Sequence, residues 1–530
     1  MGADVRTEVL IVGYGPVGQL LAVLLAQRGR DVTVVERWPQ PYTMPRAVAF
    51  DGESARILAS AGLGPYIGEF GEPSGDYAWL NGEGVELLHY DAPPDRTRSG
   101  WPDSTSMYQP GLEAALIERG RSLPSLRVHR GYEATAFTED DDGVEVVAES
   151  REGAGRLTVR ARWVVGCDGA NSFVARTVGT DYTDLGFRHD WLICDVVPHE
   201  KREYQPNNLQ ICDPARPRTE VSAGPGHRRW EFMRVAGETV ADLDSREAAW
   251  RLLGLFGVTP ESGTLERHAV YTFEARYARR WRSGRALLAG DAAHLMPPFA
   301  AQGMSSGFRD VANLAWKLDL VLTGRACERI LDSYTPERRG HVQHAISMSV
   351  NLGRVICQTD PDAARDRDEI LLAARARAQA SGGEQPSAVA PLTEGLLYGP
   401  GGGGAGDLTP QGRVGRDGTV DLFDEIVGRG FVVITTEPTD TLLDDDRLRY
   451  LESLGTRLVR VVPPGVPSGP STVTDEDGVY RRYLAEHSAT AALVRPDFYL
   501  FGTARDAEGL AALVDDLRGQ LSPVPVEAQS

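Results

Sequence analysis

Three stretches of the chain carry residue types whose spacing could hold a dinucleotide. In the first, Gly13-x-Gly15-x-x-Gly18 follows an apolar run at residues 9–12. It opens a helical pattern through Leu20, Leu21, Leu24 and Leu25, and a second β-rich run ends at Glu36. Gly13 permits a tight turn, Gly15 lets the backbone approach a pyrophosphate, and Gly18 lets helix and strand pack closely. Pro16 and Val17 start the helix, whose unpaired N–H groups suit phosphate. Glu36, followed by Arg37, can accept hydrogen bonds from a ribose diol. A purely structural turn could give the glycines alone. Strand, loop, helix, strand and acid together point to an adenine dinucleotide, without choosing between NAD and FAD.

The other two stretches repeat the theme. "WVVGCDGANSFVARTVG" is an apolar strand leading into Asp168-Gly169, with Ser172 and Arg176 on a following helix. "GRALLAGDAAHLMPPFAAQGMSSGFRDVANLAWKLDLVL" is a buried strand ending at Gly290-Asp291, then a Pro297-Pro298 turn. Gln302-Gly303-Met304-Ser305 then start a long helix whose apolar face runs through Val311, Leu314, Ala315 and Leu318. Asp291 can accept a ribityl hydroxyl, and the helix N-terminus would favour an electron-rich group such as a reduced flavin. Any one Asp-Gly is ordinarily a turn; three strand–glycine–helix junctions in one chain are harder to read as coincidence.

The elements that must position these residues are set by the bulk of the chain. At 530 residues it is too long for one ordinary core, so two or three domains are expected. The 56 basic against 75 acidic residues give a net charge of −19, which argues against nucleic-acid or acidic-membrane partners. Five cysteines form no C-x-x-C pair and no metal-ligand spacing, so no metal is expected and the thiols read as reduced in a cytoplasmic protein. The apolar run at residues 9–26 is interrupted by Gly13, Gly15, Pro16, Gly18 and Gln19, which fits a buried strand-turn-helix and not a membrane span.

The set "GYGPVG…E", "CDGANSFVAR" and "GDAAHLMPPFAAQGMSSGFRDVANLAWKL" resembles the single-component (class A) FAD-dependent aromatic hydroxylases, over roughly residues 5–395. The likeness is nearest to the branch that includes 3-(3-hydroxyphenyl)propionate hydroxylase and phenol hydroxylase. It implies an α/β fold: a Rossmann-like, glutathione-reductase-like FAD-binding domain, an inserted antiparallel-sheet substrate domain, and a C-terminal domain. The parts implied are residues 1–180 for the first FAD-binding portion, with a partial insertion near 70–105. Residues 181–275 would form the substrate sheet, 276–395 the second FAD-binding portion and helices, and 400–530 the C-terminal domain.

The resemblance implies FAD contacts at Arg46 ("MPRAV") and Gln109 ("YQPGLEAAL"), at Asp168 and Gly169, at Gly290 and Asp291, and at Gln302–Ser305. His294 reads as structural. Ala301 stands where the family has the first glycine of Gly-Gln-Gly, and Ser305 where it has asparagine. The implied chemistry is hydroxylation of a phenol ortho or para to its hydroxyl by O₂ through a C4a-hydroperoxyflavin. NADH or NADPH would be a transient electron donor with no Rossmann domain of its own. The same reagent could serve epoxidation or Baeyer–Villiger oxidation of a polyketide-like compound, and a non-catalytic FAD-binding module is the reading from another class.

Candidates at the reacting centre are Asp51 and Pro298. Asp51 could be simply an N-cap, or could accept the phenol proton as the matching aspartate of phenol hydroxylase suggests. In residues 228–234, Trp230 and Phe232 alternate with Arg229, Glu231 and Met233. That mixed face either meets solvent or lines a substrate pocket, to which Phe299 would also contribute. After Gly382-Gly383 and the glycine-rich residues 398–407, which read as a flexible linker, strands and helices alternate. This part resembles a thioredoxin-like domain. It has no cysteine, so thioredoxin redox chemistry is excluded and a structural or dimer-supporting role is the default.

Overall fold

A computed structural model describes residues 3–41, 46–91, 97–381, 390–399, 404–439, 442–467 and 469–522. Three sheets organise the chain. In the first, strands Arg282–Ser283, Ala286–Leu288, Arg156–Gly166, Ala3–Val12, Val32–Glu36 and Leu126–Arg130 lie side by side in that order. The hairpin Tyr132–Asp140/Gly143–Ser150 adds onto Arg156–Gly166. The central strands pair in parallel, and Val9, Leu10 and Ile11 are fully buried, as continuous apolar runs require.

The register of this sheet explains why the chain carries three glycine junctions. Val12 pairs with Val35 on one side and Gly166 on the other, and Gly166 pairs with Leu288. The residues that follow, Gly13, Cys167 and Ala289, therefore leave the same edge of the sheet abreast. Three motifs spread along the sequence meet at one crevice, at the carboxyl ends of the strands, where open α/β sheets bind ligands.

The second sheet runs His294–Leu295, Gly263–Ala278, Tyr182–Pro198, Arg228–Met233, Arg218–Ser222, Asn208–Cys212, Tyr77–Asn81, Glu86–Tyr90. It is antiparallel except where Asn208–Cys212 pairs in parallel with Tyr77–Asn81, the strand that an early part of the chain contributes. Helices Val240–Leu243 and Arg246–Leu253 cover one face through Leu243, Leu252 and Leu253. The other face turns toward the FAD-binding part.

The third sheet places Val432–Thr435 between Arg457–Val462, parallel to it, and Ala491–Val494, antiparallel to it. Thr472–Asp475 and Leu500–Ala504 flank that trio in a thioredoxin-like arrangement. The expected linker is tethered where it is described. Leu392 and Gly406 share a backbone hydrogen bond of 2.9 Å, and the Tyr398 and Gly406 N–H groups donate to Phe501 and Leu500. Gly382, Gly383 and residues 400–403 lie outside the described residues.

The C-terminal domain shares the main core, with Phe431 meeting Trp316 edge-on at 5.5 Å. Buried ion pairs join it to the rest. Arg56 donates to both oxygens of Asp424 at 2.7 and 2.9 Å, and Arg495 binds Glu337 at 2.6 Å and Asp497 at 2.7 Å. Lys317 also donates to Glu337, at 2.8 Å, and burial against that attraction lowers its pKa to about 8. Charges this deep hold only as complete sets.

Candidate cofactor and substrate site

At this crevice the first two junctions line a cleft of about 370 Å³, walled by Gly13, Gly15, Glu36, Arg46, Gln109, Asp168, Gly169 and Tyr271, among others. Each glycine of the first junction has its own reason. Gly13 has φ +99°, and a Cβ on it would lie 2.4 Å from the Cys167 carbonyl oxygen. A Cβ on Gly18 would lie 2.2 Å from the Gly13 carbonyl oxygen. Gly15 has extended backbone and nothing of the protein near its Cβ position, so it faces open cleft.

Helix Pro16–Ala26 has Pro16 at its first turn and no side-chain cap, leaving its N-terminal N–H groups for an anion. Val17 packs against Gly290 and against Gly307 of the long helix Gln302–Leu322; a Cβ on Gly307 would lie 2.5 Å from a Val17 methyl. Gly307 is a packing position the sequence reading did not single out.

Glu36 ends its strand almost buried. One oxygen accepts from the Tyr14 N–H at 2.7 Å and the other from the Trp38 N–H at 2.8 Å, which fixes the carboxylate at the cleft wall. Arg37 is exposed beside it, stacked on Trp38. Gln109 faces the cleft, but its amide oxygen is taken by the Arg46 and Ala47 N–H groups at 2.7 and 2.8 Å. Its amide nitrogen donates to Glu113, a carboxyl pushed up by burial against the hydrogen bonds of Gln109 and Gln19. Gln109 thus holds the Arg46 segment in place, and the Arg46 guanidinium reaches Asp291 at 3.4 Å.

Asp168 turns its carboxylate into the next helix, accepting from Ser172 Oγ at 2.5 Å and the Phe173 N–H at 2.7 Å, so backbone and Gly169 are what it presents to the cleft. Asp291 is different. Its carboxylate is 37 % exposed and, among the described residues, pairs only with Arg46, which leaves it open to hydroxyl donors.

The Gly290 turn, with φ +61°, rests on Asp310. That carboxylate accepts from the Gly290 N–H at 3.0 Å, pairs with His294 at 2.7 Å and takes the Arg338 Nε–H at 2.9 Å. Burial pushes the Asp310 carboxyl up, but His294 and Arg338 outweigh it and hold it ionised. His294 is structural in this arrangement.

Pro298 is exposed and starts a short turn, Pro298–Ala300, that ends at Ala301. Ala301 has φ +53°, the left-handed region where glycine is at ease, and an alanine there costs about 1 kcal/mol. Helix Gln302–Leu322 then begins with no side-chain cap and no acid in its first turn, so its first N–H groups are open to an acceptor. A Cβ on Gly303 would touch only Met296, at 3.8 Å. Met304 is half-buried, and Ser305 is fully buried with no hydrogen-bond partner for Oγ among the described residues. Gln302 turns its amide away, donating to Asp51 at 3.2 Å and accepting from Arg309 at 2.9 Å.

Asp51 caps helix Gly52–Ser60, accepting from the Ser54 N–H at 2.9 Å, and its other oxygen takes Arg309. Burial raises its pKa, but Arg309 and the Ser54 N–H outweigh that and leave it below the usual carboxylate range. A carboxylate so paired is a weaker proton acceptor than a free one, and of the two expected roles the helix cap is the one visible here. Arg309 also binds Glu53 at 2.6 Å, and Glu53 accepts from Tyr499 of the C-terminal domain at 2.7 Å. Arg309 and Asp310 were missed in sequence, although adjacent charges within a helix that is otherwise buried were the available signal.

All six residues of strand Arg228–Met233 are buried, so neither of its faces meets solvent. Trp230 and Phe232 enter the outer core. Arg229, expected at a substrate pocket, is bound to Asp195 at 2.7 and 3.2 Å and donates to the Arg46 carbonyl at 2.7 Å, so it supports the cleft from behind. Met233 joins the main core. Phe299 meets Trp191, Phe273 and Phe187 edge-on at 5.7, 5.8 and 6.1 Å, an aromatic cluster that joins the turn before the long helix to the second sheet.

These features fit a flavin dinucleotide. Two uncapped helix N-termini, a glycine whose missing Cβ would enter the cleft and an exposed carboxylate are what its diphosphate, ring and ribityl chain need. Among the described residues no group of His, Cys, Asp or Glu side chains is placed to hold a metal, and no helix is long and apolar enough to cross a membrane.

Comparison with known proteins agrees with this geometry. Residues 6–349 match the family described as FAD binding domain, and residues 406–520 match the HcaD C-terminal domain. The chain is 40% identical over 523 residues to a probable NADH-specific resorcinol 4-hydroxylase of Rhodococcus jostii (strain RHA1), covering 98% of this chain and 96% of that protein. It is 33% identical over 520 residues to the 3-(3-hydroxy-phenyl)propionate/3-hydroxycinnamic acid hydroxylase of Escherichia coli (strain SMS-3-5 / SECEC), covering 94% and 92%. Among solved structures, the flavin-dependent monooxygenase PieE, in complex with FAD and substrate, has the same fold. Its TM-score is 0.82 at 21% identity, over 97% of this chain and 99% of that one. The chain belongs to the class A FAD-dependent aromatic hydroxylases, the NAD(P)H-using flavoprotein monooxygenases built on this FAD binding domain.

Proposed function

We propose that the protein hydroxylates a small phenol of the resorcinol kind, with FAD as resident cofactor, NADH as electron donor and O₂ as oxygen source. The observation that carries this reading is the convergence of three glycine junctions on one edge of the first sheet, beside a cleft that the first two of them line. The 40% likeness to a protein named as an NADH-specific resorcinol hydroxylase supports both the substrate class and the donor.

Gly15 and the N-terminus of helix Pro16–Ala26 would hold the diphosphate, Glu36 the ribose, and Asp291 the ribityl hydroxyls. The open N–H groups of helix Gln302–Leu322 would stabilise negative charge on the ring system. Bound FAD supplies the transfer of electrons from nicotinamide to dioxygen and of one oxygen atom to the substrate. Phe299 and Phe273, packed on the buried Trp191, would keep water from the space where that transfer happens.

The test is NADH and NADPH oxidation by the FAD-loaded protein across a panel of phenols, with product mass and peroxide followed together. A phenol that speeds NADH oxidation and gains one oxygen atom supports the reading. Oxygen gained only by a ketone or an alkene, or no effector at all, sinks it.

A further inference from the structure

Asp51 is committed to Arg309, but the face of the substrate sheet that looks toward the FAD-binding part carries another carboxyl. Strand Arg228–Met233 alternates strictly: Trp230 and Phe232 enter the outer core, while Arg229 reaches the Arg46 carbonyl and Met233 joins the main core. Glu231 lies between those two on the same face, and it is 8 % exposed.

Its cross-strand neighbours are Ile193 and Thr219, and the Thr219 hydroxyl already donates to Gln210 at 2.8 Å. The nearest cation, Arg229, is 4.0 Å away and bound to Asp195; Arg267 is shared between Asp195 and the Tyr271 hydroxyl. Among the described residues Glu231 receives no hydrogen bond, although its neighbours are paired. A buried carboxyl without a donor is costly, and a ligand that brings one removes the penalty.

We propose that Glu231 receives the hydroxyl of the aromatic substrate, accepting its hydrogen bond and then its proton. This rests on the phenol-hydroxylase reading and names the residue that recognises the phenol. In the proton step the phenol O–H bond breaks and a carboxyl O–H bond forms on Glu231. The electron pair stays on the phenol oxygen and makes the ortho and para carbons more nucleophilic, while the oxygen atom and electrons come from the hydroxylation itself.

The surroundings suit the task. Burial pushes the Glu231 carboxyl up to about 7, against the pull of Arg229 and Arg267 and with the push of Asp195. Tyr77, facing it from strand Tyr77–Asn81, is itself pushed up by burial and by Glu231, so it stays neutral. A carboxylate with a raised pKa is a better base for a phenol than an ordinary glutamate. It is mostly protonated at pH 6 and mostly ionised at pH 8.

The experiment titrates the FAD-loaded full chain with resorcinol and with its dimethyl ether from pH 5.5 to 8.5, following the flavin absorption. Resorcinol is expected to bind about tenfold more tightly at pH 8 than at pH 6, as the ionised fraction rises, while the ether shows no such trend. Glu231→Gln should flatten that dependence and erase most of the preference for resorcinol over the ether at unchanged FAD content. Glu231→Asp should keep the pH dependence at lower affinity. Flat resorcinol binding by the unaltered protein overturns the proposal whether or not a variant folds, as does Glu231→Gln that keeps both the trend and the preference. A protein that binds no phenol at any pH overturns the hydroxylase reading together with it, whereas one that hydroxylates phenols with Glu231→Gln unchanged overturns the role of Glu231 alone.

Discussion

Replacing Gly15 and Gly18 by alanine, one at a time, should damage different things. Gly15 has φ −78° and ψ −178°, a conformation any residue adopts, and among the described residues no atom beyond its chain neighbours lies within 4 Å of the Cβ position. Gly15→Ala should therefore leave the FAD-free protein as stable as before, or more stable by about 0.4–1 kcal/mol through the unfolded chain. The added methyl stands in the cleft where the backbone must approach a diphosphate. Losing one charge-assisted hydrogen bond there is worth about 1.5–3 kcal/mol, so the Kd for FAD should rise roughly ten- to a hundredfold. At Gly18 the new Cβ would sit 2.2 Å from the Gly13 carbonyl oxygen and 3.3 Å from the Cys167 Cβ. Backbone must move, at about 1–3 kcal/mol, and that loss appears with or without FAD. Urea denaturation of the FAD-free proteins and FAD titration by fluorescence quenching separate the two effects. Unchanged FAD affinity in Gly15→Ala would refute the reasoning, because the diphosphate would not then pass this residue.

Asp51→Asn keeps a side-chain oxygen to cap the helix but takes away the charge that pairs with Arg309, so stability should fall by about 2 kcal/mol. Its folded pKa lies below the unfolded value, so that contribution is complete above about pH 4 and fades only as pH falls further. The pH–rate profile between 6 and 9 should keep its shape, and an ascending limb lost in this variant would contradict the placement. Arg56→Met leaves Asp424 buried without its partner and should destabilise the protein by about 3–5 kcal/mol. Pairing it with Asp424→Leu should recover much of that in a denaturation cycle. Tyr499→Phe takes a hydrogen bond from Glu53 and should cost about 1–3 kcal/mol. The same variant should alter the visible spectrum of bound flavin, because Glu53 and Arg309 hold Gln302 at the start of the helix proposed to face the ring; an unchanged spectrum would argue against that connection.

The dinucleotide site was legible in the sequence because each part of it is local. A strand, a glycine turn and a helix N-terminus lie within a few residues of one another, and the physical need for glycine at Gly13 and Gly18 is visible in their spacing. The fold class was legible for the same reason: βαβ rhythm and short strands with turns differ in composition. The linker expected at residues 398–407 is the exception, because glycine content reports local freedom and is blind to the partners that tie Tyr398 to Phe501 and Gly406 to Leu500.

What the sequence could not decide was which charged side chains stay free. Asp51, Arg229, Glu231 and Asp291 are all ionisable residues near the expected site, and nothing local distinguishes them. Partners from distant parts of the chain do. Arg309, 258 residues away, holds Asp51 ionised, and Asp195 claims Arg229; among the described residues Asp291 keeps only the exposed Arg46 and no donor reaches Glu231. Charge availability depends on burial and pairing, which are sums over every element packed nearby, so only the tertiary structure could settle it.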